Sequence, residues 1–234
     1  EGLLRIADLA AELPGAAEFT EKASKLCTVS IAHSDTGYED AKAVFDAGAT
    51  HLTHTFNAMP GIHHRNPGPI GAASDSEGAY AELICDGFHN HPAIIRMMFQ
   101  LCPEKVVLIS DSMPAAGLCD GEYELGGIKV YVKEGKATQA DGTIAGSTIS
   151  AFDSMRNAIR FGVPAEQAVL SASFLPAKSV EMEDKHITLV LSETFSTLEN
   201  LDYTIACAIP MDAPGVTMIV DHAVGDMRKM YGDK

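Results

Sequence analysis

No apolar run in this chain approaches the roughly 18–20 residues that cross a bilayer. The opening residues EGLLRIADLA carry no basic stretch ahead of an apolar one, so neither a membrane span nor an export signal is expected. Cysteine is sparse and unpaired in pattern: five residues, an odd number, with no CxxC spacing. That argues against a disulfide framework and for a reducing cytoplasm. Basic residues are also few, 17 Lys and Arg against 32 Asp and Glu, giving a formal net charge of −15. With no basic stripe to reverse that field locally, the chain repels phosphodiester backbones, and nucleic acid is not expected as a partner. A small anionic ligand remains compatible, because one arginine and a few histidines suffice for a local positive pocket. Internal repeats and low-complexity tracts are absent.

What is present is core material. Hydrophobic residues make up 46% of 234 positions, enough for one large domain or somewhat more. Five short apolar runs stand out: LLRIADLA (3–10), CTVSIAHSD (27–35), THLTHTFNAM (50–59), YAELICDGFH (80–89) and KVVLISDSM (105–113). Between them, PGAAEFTEKASKL, GYEDAKAVFDAG and HPAIIRMMFQL repeat apolar residues every three or four positions and read as helices. Strand and helix alternating in units of about 20–30 residues predict a parallel sheet covered by helices. The strand runs are nearly continuous in apolar residues, as sheets buried on both faces are.

After residue 119 the texture changes. DGEYELGGIKVYVKEGKATQADGTIAGS alternates and turns on glycines, predicting a small antiparallel flap. TISAFDSMRNAIRFG and PAEQAVLSASFLPAKSV read as helices, with Pro164 suited to a first turn. From Glu181 onward no motif is found, although LVLSETFSTL and VTMIVDHAVGDM each suggest a strand leading into a helix. Three regions follow: β/α units carrying the site (1–118), a β-flap with terminal barrel helices (119–180), and an unassigned α/β tail (181–234).

In parallel α/β folds chemistry collects at the carboxyl ends of the strands. His33, His54, His89 and Asp111 all lie at or just past such ends. His33 and His54 are 21 positions apart, one strand-helix-strand unit, so both imidazoles can meet at one ion. Asp111, at the tip of KVVLIS, suits a general base that takes a proton from water and delivers it to a leaving amine. The bland alternative is a set of hydrogen-bonded structural residues, and spacing by itself leaves both open. The loop THLTHTFNAMPGIHHRNPG (50–68) poses the same question with four histidines. His63 and His64 read as solvated, His51 as facing away from His54, and His91 as a helix start. Cys27, Cys85 and Cys102 read as small buried hydrophobes, and Met97 and Met98 as core packing.

Taken in order, AHSDTGYEDAKAVFDAGATHLTHTFNAMPGIHHRNPG, ELICDGFHNHP, VLISDSMPAAG and DGTIAGS resemble the N-acetylglucosamine-6-phosphate deacetylases of the amidohydrolase superfamily. The resemblance runs from about Leu4 to Val180. It implies a partial (β/α) TIM-type barrel with a small β segment, and hydrolysis of the acetamido group to glucosamine 6-phosphate and acetate. It assigns His33 and His54 as ligands of one divalent metal (zinc, with iron as the alternative) and Asp111 as general acid/base. It assigns His89 to substrate contact and carbonyl polarisation, and Asn57 and Ala58 to the segment holding the sugar phosphate. Arg65 becomes the phosphate-binding arginine reaching a neighbouring subunit's site, which implies a homodimer. Ala145, Gly146 and Ser147 match a loop lining the acetyl pocket.

Two departures accompany the resemblance. The family's glutamate ligand, in an H-x-E-G-P context, is absent, and Glu12 in LAAELPG is not at a principal ligand position. The segment after FLPAKSV does not align. The chain therefore reads as the second part of such an enzyme. The alternatives are a catalytically silent sugar-phosphate-binding relative and an amidohydrolase with another amide substrate.

Overall fold

The computed structural model describes residues 4–182 together with the backbone of two strands, Ile187–Thr194 and Asp202–Pro210. Five short strands, β1 (Ile6–Leu9), β2 (Thr28–Ile31), β3 (His51–Leu52), β4 (Tyr80–Ile84) and β5 (Val106–Ile109), form one sheet. Each pairs in parallel with the next, in the order β1-β2-β3-β4-β5. A strictly sequential order is how a (β/α) barrel winds, whereas a doubly wound sheet reverses order at a switch point. The architecture is α/β, a partial barrel of the kind the sequence predicts.

The strands form where predicted because their side chains have nowhere else to go. Val29, Ile31, Leu52, Leu83, Ile84 and Val106 are almost fully buried, each burial being worth about 1.5–3 kcal/mol. The predicted ends run long, however. β3 covers only His51–Leu52, and the residues that follow turn at once.

Four helices connect these strands or follow them: α1 (Ala16–Ala23), α2 (Tyr38–Asp46), α3 (Gly68–Ser74) and α4 (Pro92–Leu101). Glu39 and Asp40 in the first turn of α2 complement its dipole. Pro92 opens α4 behind His91, whose Nδ1 accepts from Ala93 N–H at 3.2 Å. His91 is thus a helix cap, as read. Met98 is buried in the core but Met97 is 55% exposed, so only one of the pair packs. Cys85 and Cys102 are buried while Cys27 is half-buried.

The flap consists of β6 (Gly121–Leu125), β7 (Ile128–Lys133) and β8 (Lys136–Thr138), antiparallel as predicted. Val130, Val132 and Ala137 pack with Met113, Ala115 and Ala145. Then α5 (Ala151–Arg160) starts at a capping box between Ser150 and Asp153. The next predicted helix is split at Ser173 into α6 (Ala165–Ala172) and α7 (Phe174–Ser179), with Pro164 at the N-cap of α6. Sheet, flap and α5–α7 belong to one compact unit, Glu1–Val180; Glu181–Lys234 forms a second. Within that second unit β9 (Ile187–Thr194) pairs antiparallel with β10 (Asp202–Pro210). The predicted VTMIVDHAVGDM element lies outside the described residues. Among the described residues, no helix is long and apolar enough to cross a membrane.

Candidate active site

The sheet brings His33 and His54 together at adjoining strand ends. Their Nε2 atoms stand 2.9 Å apart, with the rings edge to face at 80°. His33 is exposed and His54 only 7% exposed, so the pair spans the rim and the back of the site. Burial is the main cause that pushes the His54 imidazole below its ordinary pKa; His33 adds to this and Asp111 opposes it. A neutral His54 is the form that can ligate a metal. Asp111 lies two residues past the end of β5 with its side chain open to solvent, within electrostatic reach of His54.

His33, His54 and Asp111 share a backbone signature. Their φ angles are 46°, 32° and 48°, in the left-handed region that non-glycine residues seldom occupy. Such strain persists where surrounding bonds over-determine it, typically at functional sites. At His33 the fixing bonds are visible. Ser34 Oγ donates to Glu12 Oε2 at 2.5 Å, Asp35 N–H to Glu12 Oε1 at 3.1 Å, and Ala11 N–H to Ser34 Oγ at 2.9 Å. Glu12 therefore clamps the loop after β2 to the loop after β1, and its carboxyl is occupied in doing so.

Two imidazole nitrogens bound to one tetrahedral zinc at about 2.0–2.1 Å stand about 3.3 Å apart. The observed pair needs to open by only a few tenths of an ångström, and His54 Nδ1, buried, has no hydrogen-bond partner. These two residues fit as part of a metal shell. Among the described residues, no group of three or more His, Cys, Asp or Glu is arranged to hold an ion. The pair would supply two ligands.

His89 lies past the end of β4, where Asp86 fixes it. Asp86 Oδ2 accepts from His89 Nδ1 at 2.6 Å, and Asp86 Oδ1 accepts from the N–H groups of Phe88 and His89, each at 2.8 Å. Burial would raise the Asp86 carboxyl, but these bonds prevail and hold it below the ordinary aspartate value. Asp86 was not among the sequence candidates. Its signal is an Asp three positions before a His at a strand end, where Asp closes turns onto the following N–H groups.

The loop Ala145-Gly146-Ser147 docks on the end of β5. Ser147 N–H donates to Asp111 O at 2.8 Å, Met113 N–H donates to Ser147 O at 2.9 Å, and Ser147 Oγ donates to Ser110 O. Gly146 has φ +69°, and a Cβ there would sit 3.2 Å from Asp111 O and 3.1 Å from Met113 Cβ. Only glycine lets the loop approach Asp111 so closely.

Asn57 and Ala58 form the turn after His54, with Phe56 and Ala58 also left-handed. The N–H groups of Asn57 are bonded within that turn: its main chain to His54 O at 2.9 Å, and Nδ2 to His54 O and Thr55 O at 3.1 and 3.2 Å. This leaves its Oδ1, an acceptor, for any ligand. Arg65 stands apart from the histidine pair. It is exposed, its Nη1 lies 2.7 Å from His64 Nε2, and it borders a cleft of about 550 Å³ with Tyr38, Asp40, Asn66 and Asp75. His63 and His64 stack on each other at 4.3 Å on the surface. His51 is buried beside Tyr80 and its pKa is pushed down to about 4 by burial. It is the first residue of β3, whereas His54 lies in the turn that follows.

Glu82 was also missed. It sits in the middle of β4, 8% exposed, and burial first, then Asp8 and Asp111, push its carboxyl up to about 7, while the His54 N–H works against them. A charged residue inside the apolar run YAELI was its signal.

Comparison with known proteins gives the family. The family model described as "Amidohydrolase family" matches residues 7–186. The chain is 41% identical over 156 residues to the N-acetylglucosamine-6-phosphate deacetylase of Vibrio furnissii, covering 66% of this chain and 39% of that relative. It is 38% identical over 182 residues to the N-acetylgalactosamine-6-phosphate deacetylase of Escherichia coli O157:H7, covering 77% and 48%. The crystal structure of the Mycobacterium smegmatis N-acetyl-D-glucosamine-6-phosphate deacetylase superposes with a TM-score of 0.72 at 35% identity, covering 77% of this chain and 50% of that one. The chain spans about half the length of the curated relatives it matches. In sequence and in fold, the chain belongs to the amidohydrolase family.

Proposed function

We propose that this chain carries the catalytic end of a hydrolase that removes the acetyl group from N-acetylglucosamine 6-phosphate, giving glucosamine 6-phosphate and acetate. The single observation that carries the reading is the convergence of His33 and His54 Nε2, 2.9 Å apart, in a site that includes Asp111. The relatives named for this reaction support the substrate class, and a variant of the M. smegmatis relative has been solved with N-acetyl-D-glucosamine-6-phosphate.

His33 and His54 would hold one divalent ion, zinc or iron, which when bound supplies Lewis acidity to the amide and acidity to water. The remaining work falls to side chains of this chain. Asp111, open to solvent, takes the proton of the attacking water and returns it to the amine as the C–N bond breaks and the C–O bond forms. His89, oriented by Asp86, steadies the developing negative charge on the carbonyl oxygen. Asn57 and Ala58 line the sugar. Ala145, Gly146 and Ser147 shape the acetyl pocket against Asp111. Arg65 presents its guanidinium to the phosphate, a bidentate match, in the site of a second subunit of a homodimer. The enzyme works in the cytoplasm, without nucleic acid or membrane.

The test is acetate release by the purified chain with zinc or iron, from N-acetylglucosamine 6-phosphate and from its galactosamine counterpart. Turnover of the former that disappears in Asp111→Asn, with bound metal unchanged, is the expected result. A folded, metal-loaded chain that binds the phosphorylated sugar without turnover would instead make it a silent sugar-phosphate binder.

A further inference from the structure

His33, His54 and Asp111 all turn left-handed, but the bonds that hold the three turns differ in kind. Around His54 and Asp111 main-chain groups bond to main-chain groups. Thr53 N–H donates to Ile31 O at 2.9 Å and Thr55 N–H to Glu82 O at 2.8 Å. Ser147 N–H donates to Asp111 O at 2.8 Å, and Met113 N–H to Ser147 O at 2.9 Å. Every residue but proline carries such groups, so these bonds do not depend on which side chains stand there.

His33 is held otherwise. Before it, Ala32 N–H donates to Leu9 O at 2.9 Å, continuing the β1–β2 ladder. After it, the bonds go to a side chain. The Glu12 carboxylate accepts from Ser34 Oγ on one oxygen at 2.5 Å and from Asp35 N–H on the other at 3.1 Å. Ser34 is fully buried, and its Oγ accepts in turn from Ala11 N–H at 2.9 Å. One short segment, residues 9–12, therefore grips both flanks of His33, and only the second grip needs a particular side chain. Glu12 is exposed, so removing it leaves no buried cavity. What it fixes is direction: between the two grips His33 takes a φ of 46°, and its Nε2 lies 2.9 Å from that of His54. We propose that Glu12 is a positioning residue for His33: its carboxylate, bonded to Ser34 Oγ and Asp35 N–H, holds the turn that presents His33 Nε2 to the metal. This rests on the reading of His33 and His54 as a metal pair.

The experiment uses the whole chain with Glu12→Ala and Glu12→Gln. Alanine removes both bonds. Glutamine keeps two, its oxygen accepting from Asp35 N–H and its amide N–H donating to a lone pair of Ser34 Oγ. Should the alanine variant not fold, Ser34→Ala, which removes the Oγ bonds alone, takes its place. One readout is the nuclear Overhauser contact between the His33 and His54 rings in the metal-free protein, their centroids being 4.6 Å apart. The other is zinc affinity, by competition with a chelating dye. Alanine is expected to abolish the ring contact and to lower zinc affinity about 10–100-fold, the range for residues that orient metal ligands. The contact between the His51 and Tyr80 rings, 5.5 Å apart in the same sheet, stays. Glutamine keeps all three properties. The proposal is overturned if alanine leaves the His33–His54 contact or zinc affinity unchanged, or if the His51–Tyr80 contact disappears as well, which would make the role of Glu12 generally structural. It is also overturned if glutamine impairs both readouts as much as alanine does, since charge and not bonding would then be the cause. If no form binds zinc, wild type included, the metal reading fails, and the ring contact still decides whether Glu12 positions His33.

Discussion

Replacing Glu82 by glutamine should change how stability depends on pH, by an amount the structure sets. The carboxyl stands at about 7 against an ordinary glutamate value of 4.5. A folded-state value raised in this way means that the folded chain holds a proton which the unfolded chain gives up. The stability Glu82 contributes is therefore fully present below pH 4.5 and is lost as pH rises through about 7. At about 1.36 kcal/mol per pH unit between the two values, the loss is about 3 kcal/mol. Glutamine cannot ionise, so Glu82→Gln gains on the wild type by about 3 kcal/mol between pH 4.5 and 8. Taking the difference between the two proteins removes the titrating groups that do not interact with Glu82, His51 among them. That matters, because His51, depressed to about 4, gives stability the opposite slope between pH 4 and 6.5. The assay is urea unfolding of both metal-free proteins at several pH values across this range. A difference that stays constant with pH would refute the reasoning, since Glu82 would then ionise in the folded chain as readily as in the unfolded one.

Other consequences are sharper in sign than in size. Gly146→Ala forces a left-handed alanine whose Cβ meets Asp111 O and Met113 Cβ, and should lower stability by about 1–3 kcal/mol and turnover with it, as followed by thermal unfolding and acetate release. Asp86→Ala leaves the Nδ1 of His89 and two N–H groups without their acceptor, a loss of about 1–3 kcal/mol measurable by urea unfolding. Because the Asp86 carboxyl is held below its ordinary value, its contribution is present above pH 3.8 and lost as pH falls further. Arg65→Ala should raise KM for the phosphorylated sugar while leaving zinc affinity unchanged, since Arg65 stands apart from the histidine pair.

Much of this site was legible because the strands report their own ends. CTVSIA, HLT and KVVLIS are rich in apolar and β-branched residues up to the position proposed to carry chemistry, and burial dictates that switch. What escaped was written in residues that work on the backbone. The helix α3 was not read, since Pro67, Gly68, Pro69 and Gly71 look like breakers. Yet Pro69 sits in its first turn, and a Cβ at Gly71 would fall 2.4 Å from Pro67 Cβ. That glycine is there for contact, not for flexibility. Asp86 and Glu82 were hidden behind more conspicuous neighbours, His89 in one case and an apolar strand in the other. Pattern reading weights what a side chain can do to a substrate, while Asp86 acts on main-chain N–H groups and Glu82 is buried in the sheet.

The left-handed backbone shared by His33, His54 and Asp111 restricts what can replace them, independently of chemistry. Asn, Asp, His and glycine enter that region with least penalty, whereas β-branched and bulky residues do not. Any change of residue at these three corners therefore draws on a very short alphabet. A designer randomising those positions would lose most variants to backbone strain before any was judged on its chemistry.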